Sequence, residues 1–468
     1  MKLFNTLGRR LLDFAPIDAG HVRFYTCGPT VYNVAHIGNL RTFVFEDVLR
    51  RHIKARSWRP TQIMNITDID DKTIKGAAKE GLSLAEFTSR YTELFFKDLD
   101  RLNVERAERY PKATDHIAEM IALIQRLKES GHTYESEGSV WYKISTFRDY
   151  GKLSQIDLTQ TRRGERVADD EYEKEDVRDF ALWKAGKPGE PAWKSPWGEG
   201  RPGWHIECSA MSMKYLGEHF DIHTGAVDNI FPHHENEIAQ SEGATGQTFV
   251  ETWLHAEHLV VDGEKMAKSK NNFYTLDDVL ARRDDPAAMR YLFLSVPYRK
   301  KLNFTWDALA GAASAVNHIF STWSRLTDFG ASLGDKPAPY PATERSEAFL
   351  RDFLAAMDDD LNTAAALGAV FPYLTDINRA FDDRSLDARG AETARLAIEK
   401  ADEVIGVIPF HKGRRSEPLP AEIEAQIEAR NAARIRRDFA EADRIRQDLA
   451  AKGILLEDGP AGTRWKKG

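Results

Sequence analysis

Two hydrophobic periods alternate along this chain, and the switches between them outline its architecture. His21–Cys27 (His-Val-Arg-Phe-Tyr-Thr-Cys) alternates and is rich in β-formers, which predicts a strand. Gly28-Pro29 breaks it. From about Ile37 to Arg56 the apolar residues Phe43, Val44, Val48 and Leu49 recur at helical spacing. Pro60–Asn65 reads as a second strand, and helical stretches follow at about 83–102 and 114–130. The same rhythm resumes near Trp204. Phe220–His223 reads as a strand, His233–Ser241 as the opening of a helix, and His258–Val261 as another strand. Strand, helix and strand in this order predict an α/β domain with a doubly wound parallel sheet. After Asp307 the pattern is persistently helical and predicts a helical bundle. Gly406–Pro420 reads as a linker. Beyond it Ile423, Ile427, Ile435, Phe439, Ile445 and Leu449 mark a helical pattern in a small C-terminal domain.

Between Tyr134 and Pro202 the texture changes to glycine, proline, tryptophan and charge, as in Lys187-Pro-Gly-Glu-Pro-Ala-Trp-Lys-Ser-Pro-Trp-Gly-Glu-Gly-Arg-Pro202. This predicts a loop-rich insertion. The expected division is 1–110 and 203–275 for the two halves of the α/β domain, with 111–202 inserted between them. A connector at 276–310, a helical bundle at 311–410 and a small domain at 411–468 follow.

Length and charge narrow the class. A chain of 468 residues exceeds one simple core. A formal net charge of −8 argues against indiscriminate nucleic-acid binding, yet leaves room for a local basic face. Residues 411–468 carry thirteen Lys/Arg against ten Asp/Glu, and their end, Arg464-Trp465-Lys-Lys467, suits stacking on bases and contact with phosphates. A solvated helix face explains the same charge equally well. Neither a run of about twenty apolar residues nor a secretory leader is visible, and two cysteines far apart form no disulfide framework. A cytoplasmic protein with no membrane association is expected.

The chemistry gathers at a few points. His36-Ile37-Gly38-Asn39 follows a strand and opens a helix, where backbone N–H groups and the positive helix end receive phosphate. His36 and Asn39 add side-chain donors, and Gly38 lets the backbone come close. More than two hundred residues later, Lys265-Met-Ala-Lys268-Ser269 lies in a loop after an apolar strand. Two lysines three apart suit charge accumulating on a phosphate in a transition state. Taken alone, the first motif is equally a helix cap and the second a solvated loop. For a metal, Cys27, Cys208, His233 and Glu237 are candidates. The His/Glu pair is four apart, hence on one helix face, and thiolate, imidazole and carboxylate suit zinc. His234 competes by adjacency, although its helix angle disfavours it. Two buried structural cysteines and a surface His/Glu pair are the alternative.

Together and in this order, the two phosphate motifs resemble the HIGH and KMSKS signatures of class I aminoacyl-tRNA synthetases. Further segments narrow the resemblance: Tyr25-Thr-Cys-Gly-Pro-Thr-Val-Tyr32, Asn65-Ile-Thr-Asp-Ile-Asp-Asp-Lys72, Gly203-Trp-His-Ile-Glu-Cys-Ser-Ala-Met211, Phe231-Pro-His-His-Glu-Asn-Glu237, Met357-Asp-Asp-Asp-Leu-Asn-Thr363 and the tail ending Gly462-Thr-Arg-Trp465. Spanning nearly the whole chain, they resemble the cysteinyl-tRNA synthetase family. The resemblance implies a Rossmann-like catalytic domain. It implies activation of L-cysteine with ATP and transfer to tRNA(Cys) by a monomer. It assigns Cys27, Cys208, His233 and Glu237 to one Zn2+ per chain, with Mg2+ accompanying ATP. His36, Lys265 and Lys268 become catalytic residues, and His36, Gly38, Asn39 and Lys268 bind ATP. Thr67, Trp204, His223 and Asp228 shape the cysteine pocket. Cysteine ligases acting on an amino sugar share such a core but lack the matching tail.

Departures from the family pattern stand at Asn39, at Ala267 and in Lys270-Asn271-Asn272. Thr224 and Ala226 replace members of a glycine-rich run, and their larger side chains are expected either to narrow the site or to alter the loop geometry.

Overall fold

The computed structural model describes residues 1–156, 178–270, 272–334, 336, 338–410, 421–452, 454–459 and 462–467; of these, the side chains of Lys268 and most of the C-terminal hairpin are outside the description. Part of the expected linker, residues 411–420, also lies outside it. The chain forms two units, one of Met1–Ala312 with Leu354–Ala366, the other of Ala313–Phe353 with Leu367–Gly468.

The first unit is built on seven elements: β1 (His21–Thr26), α1 (Ile37–Ala55), β2 (Arg59–Met64), α2 (Trp204–Leu216), β3 (Phe220–Ala226), α3 (Glu235–Thr245) and β4 (Val250–Ala256). The strands pair in the order β4-β3-β1-β2, all parallel. Crossovers through α1 and through α3 therefore run outward in opposite directions from the central pair. That arrangement leaves a crevice beyond the carboxyl ends of β1 and β3, where doubly wound sheets receive ligands. Cys27 follows β1 there, and its N–H donates to the Thr224 carbonyl of β3 at 3.2 Å.

β4 does not show in the hydrophobic pattern. Its residues, Val-Glu-Thr-Trp-Leu-His-Ala, are nearly all buried, so polar and apolar positions do not alternate. The inserted region also departs from expectation. It contains a five-stranded antiparallel sheet in the order 133–136, 139–142, 180–185, 198–202, 193–195. The strands are only three to six residues long, and the turn residues between them dominate the composition. Trp141 and Trp183 anchor the buried side.

In the second unit, helical segments including Thr363–Asp382 and Ala388–Ile405 form a bundle core, with Phe349 stacked on Tyr373 at 4.3 Å. Helices Ala421–Ile435 and Phe439–Ala451 and the hairpin Ile454–Gly459/Gly462–Lys467 follow. Ile445, Leu449, Ile454 and Leu456 form their core, with Ile423 and Ile427 against it. Ile435 and Phe439 fit the helical spacing, yet both are exposed, because the helix breaks between them and Asp438 caps the next one. Among the described residues, no helix is long and apolar enough to cross a membrane.

Candidate active site

The N-terminus of α1 is held by a reciprocal cap. The Asn39 N–H donates to His36 Nδ1 at 3.1 Å, and the His36 N–H donates to Asn39 Oδ1 at 3.2 Å. Burial lowers the His36 pKa, so the neutral ring is favoured. Its Nδ1 accepts from the backbone, so the ring proton resides on Nε2, which becomes the donor available to a phosphate. Asn39, a departure from the family pattern, thus completes the cap.

The distant lysine loop comes to this same turn. The Ile37 N–H donates to the Tyr274 carbonyl at 3.0 Å, His36 pairs with Thr275, and Phe273 meets the His36 ring edge-on at 5.3 Å. A Cβ on Gly38 would lie 2.8 Å from Met266 Cε and 3.0 Å from the His36 ring, so the loop packs closely over this glycine. Lys265 is exposed. Asn272 braces the loop: its Oδ1 accepts from the Ala267 N–H at 2.8 Å and its Nδ2 donates to the Lys265 carbonyl at 3.3 Å. Lys270 pairs with Glu264 at 2.8 Å. The motif residues 36–39 and 265–275 are therefore neighbours.

On the other side of the β1–α1 turn, donor atoms of Cys27, Cys208, His233 and Glu237 all lie within 4.8 Å of one another. Cys27 follows β1, Cys208 comes from α2, His233 from the segment just before α3 and Glu237 from the first turn of α3. Glu237 Oε1 is 3.1 Å from His233 Nε2 and 4.0 Å from Cys27 Sγ. A second set of donors, Cys27, His223, His234 and Glu237, meets the same limit. His234 Nε2 is 3.2 Å from Cys27 Sγ, despite its unfavourable helix angle. Phe231, in the segment before α3, is extended (φ −137°, ψ 133°), and the two histidines follow it at the entry to the helix.

The electrostatics suit a cation. Burial pushes the Cys27 thiol well up, and its bond to Cys208 adds to this. That bond is the largest influence on the Cys208 thiol and lowers it, but burial and the charge of Glu237 together turn the result upward. Burial pushes His233 down to about 3. Two thiols that resist ionisation in dry surroundings, beside a neutral imidazole, form a donor set that a soft divalent metal satisfies by stabilising the thiolates.

Around these donors, Trp204 lies 4.3 Å from the His233 ring and is 36% exposed. His223 is buried and bonds Glu237 Oε2 at 3.0 Å. The Thr67 hydroxyl donates to Glu207 at 3.0 Å, and Asp228 lies near enough to His36 to raise its pKa slightly against burial. Gly28, next to Cys27, donates to Asn65 Oδ1 at 2.9 Å. Sequence reasoning missed His255, Glu207 and Glu46, which are buried on elements read only as scaffold.

The Thr224 hydroxyl donates to Glu46 Oε1 at 2.7 Å. Burial pushes Glu46 up to about 8, with the Thr224 bond opposing. Between the ordinary carboxylate value and 8, the folded chain holds a proton that the unfolded chain has lost. Stability therefore falls as pH rises through that window, by up to about 1.4 kcal/mol per pH unit. Glu46→Gln removes this loss. Thermal unfolding is expected to show the variant gaining on wild type from pH 5 to pH 8.5; a gap independent of pH would contradict a buried neutral acid.

The fold is shared with solved class I synthetases. The methionyl-tRNA synthetase of Mycobacterium tuberculosis in complex with methionyl-adenylate has a TM-score of 0.60 at 16% identity, covering 83% of this chain and 90% of that one. A leucyl-tRNA synthetase (LeuRS) of Agrobacterium radiobacter, in a ternary complex, has a TM-score of 0.62 at 10% identity, covering 85% of each chain. The family model for the class I (C) tRNA synthetase catalytic domain matches residues 13–314, a DALR domain model matches 352–409, and a cysteinyl-tRNA ligase anticodon-binding domain model matches 416–465. A cysteine–tRNA ligase of Solibacter usitatus is 48% identical over 100% of this chain and 99% of its own length. One from Leptospira interrogans is 45% identical with the same coverage. The chain belongs to the cysteine–tRNA ligase family.

Proposed function

We propose that this chain joins L-cysteine to tRNA(Cys) in two steps. The cysteine carboxylate attacks the α-phosphorus of ATP, forming cysteinyl-adenylate and releasing pyrophosphate. A terminal ribose hydroxyl of the tRNA then attacks the acyl carbon, losing its proton as AMP departs. No protein nucleophile is needed, so rate comes from positioning and from donors aimed at developing charge. The His36 Nε2–H and the N-terminal end of α1 face the phosphates, with Gly38 and Asn39 shaping that end. Lys265 and Lys268 supply positive charge from the adjoining loop. Magnesium accompanies ATP.

Cys27, Cys208, His233 and Glu237 hold zinc in this reading. When bound, zinc supplies a soft Lewis-acidic position that favours a thiolate over the hydroxyl of serine. Thr67, Trp204, His223 and Asp228 surround the amino acid, and the reading includes no separate editing domain. Residues 1–110 and 203–275 carry the chemistry, 111–202 are inserted, and 276–310 connect to 311–410 and 411–468, which meet the anticodon side of the tRNA. The protein works as a cytoplasmic monomer.

One observation carries this reading: two cysteines, His233 and Glu237 converge beside the capped start of α1, at the crevice between β1 and β3. ATP–pyrophosphate exchange with each amino acid tests it. Cysteine is expected to drive exchange and serine not; exchange with serine at a comparable rate would refute it.

A further inference from the structure

Behind the Cys27 sulfur runs a buried chain of hydrogen bonds that the reaction does not use. His234 Nε2 lies 3.2 Å from Cys27 Sγ, His234 Nδ1 lies 2.8 Å from His255 Nε2, and His255 Nδ1 lies 2.8 Å from the Thr6 hydroxyl. Thr6 is itself anchored, its N–H donating to the Trp253 carbonyl at 2.9 Å. Both imidazoles are buried, and the His234 ring packs 5.1 Å from that of Trp253. The space is made by Gly225, where a Cβ would come 2.8 Å from His234 Cε1 and 3.1 Å from Nε2.

With the metal on the Cys27, Cys208, His233 and Glu237 set proposed above, each contact in this chain needs one proton, so the chain has only two directions. Either Cys27 S–H donates and every proton points toward Thr6, or the Thr6 hydroxyl donates and every proton points toward Cys27. A metal-bound thiolate has no proton to give, so only the second direction satisfies it. In that direction His234 Nε2 carries a hydrogen and has no lone pair for a metal.

We infer that His234 is a positioning residue rather than a ligand: oriented by His255 and Thr6, it donates a hydrogen bond to the Cys27 sulfur from outside the ligand set. This rests on the metal reading proposed above. Partners of this outer kind orient ligands and tune a metal, and losing one costs about 10–100-fold in metal affinity. The side chain at position 6, far in sequence from every ligand, thereby acts on the metal.

The test loads the full chain and its H234F, T6V and C208S variants with Co2+ alone. It measures stoichiometry, affinity by chelator competition, and the sulfur-to-cobalt charge-transfer band. H234F keeps the ring volume without donor or lone pair. It is expected to bind one Co2+ per chain about 10–100-fold more weakly, with the band moved to longer wavelength, because the sulfur loses a hydrogen bond. T6V, at the outer end of the chain, keeps the fold if H234F does not, and is expected to shift affinity and band in the same direction by less. C208S is expected to lose the metal. Wild-type affinity and band in both H234F and T6V, with C208S metal-free, would overturn the inference alone. Loss of metal from H234F with retention in C208S would overturn the assignment of the ligand set as well.

Discussion

Cys208→Ala is expected to lose both bound zinc and cysteine-dependent ATP–pyrophosphate exchange. Cys208 lies in the second turn of α2 and is buried, so alanine removes a sulfur without disturbing an exposed surface. Its neighbours then have no remedy. Cys27 is held well above the ordinary thiol value by burial, and losing one of the two thiolates leaves a harder, weaker donor set for zinc. The loss of exchange should exceed the about 10–100-fold typical of outer partners. Metal analysis and exchange on the same preparation check it. Full exchange by metal-free C208A protein would show that this cluster does not select the thiol.

His36→Ala is expected to reduce adenylate formation about 10²–10³-fold, the usual effect of removing one donor aimed at developing charge. The Michaelis constant for cysteine should change little, because the metal ligands lie on the other side of the β1–α1 turn. The same change removes a helix cap, a separate cost of about 1 kcal/mol. His36→Asn separates the two effects. Asparagine caps well but does not reproduce the Nε2–H of the ring, so stability should return while the rate does not. Recovery of the rate in H36N would reduce His36 to a cap.

Much of this was legible in the sequence because local rules and tertiary structure agree. Alternation in His21–Cys27 and helical spacing after Ile37 are visible within one window, and both elements form at nearly the expected places. The Cys27/Cys208 and His233/Glu237 sets converge because the ends of parallel strands and the starts of helices share one edge of a doubly wound sheet. β4 was hidden because nearly complete burial erases alternation. The inserted sheet was hidden because strands of three to six residues yield their composition to the turns. That His234 comes within reach of the Cys27 sulfur was not readable, because the room for its ring is left by Gly225 on a different strand. Side-chain size at Thr224 is readable in sequence, but its hydrogen bond to Glu46 on α1 is known only from the fold.

Cysteine-dependent charging of tRNA(Cys) by zinc-loaded protein, measured before and after a zinc chelator, tests the central claim most directly. Charging should be robust with zinc, disappear with the chelator, and return when zinc is restored. Undiminished charging by protein shown to be free of metal would contradict the account.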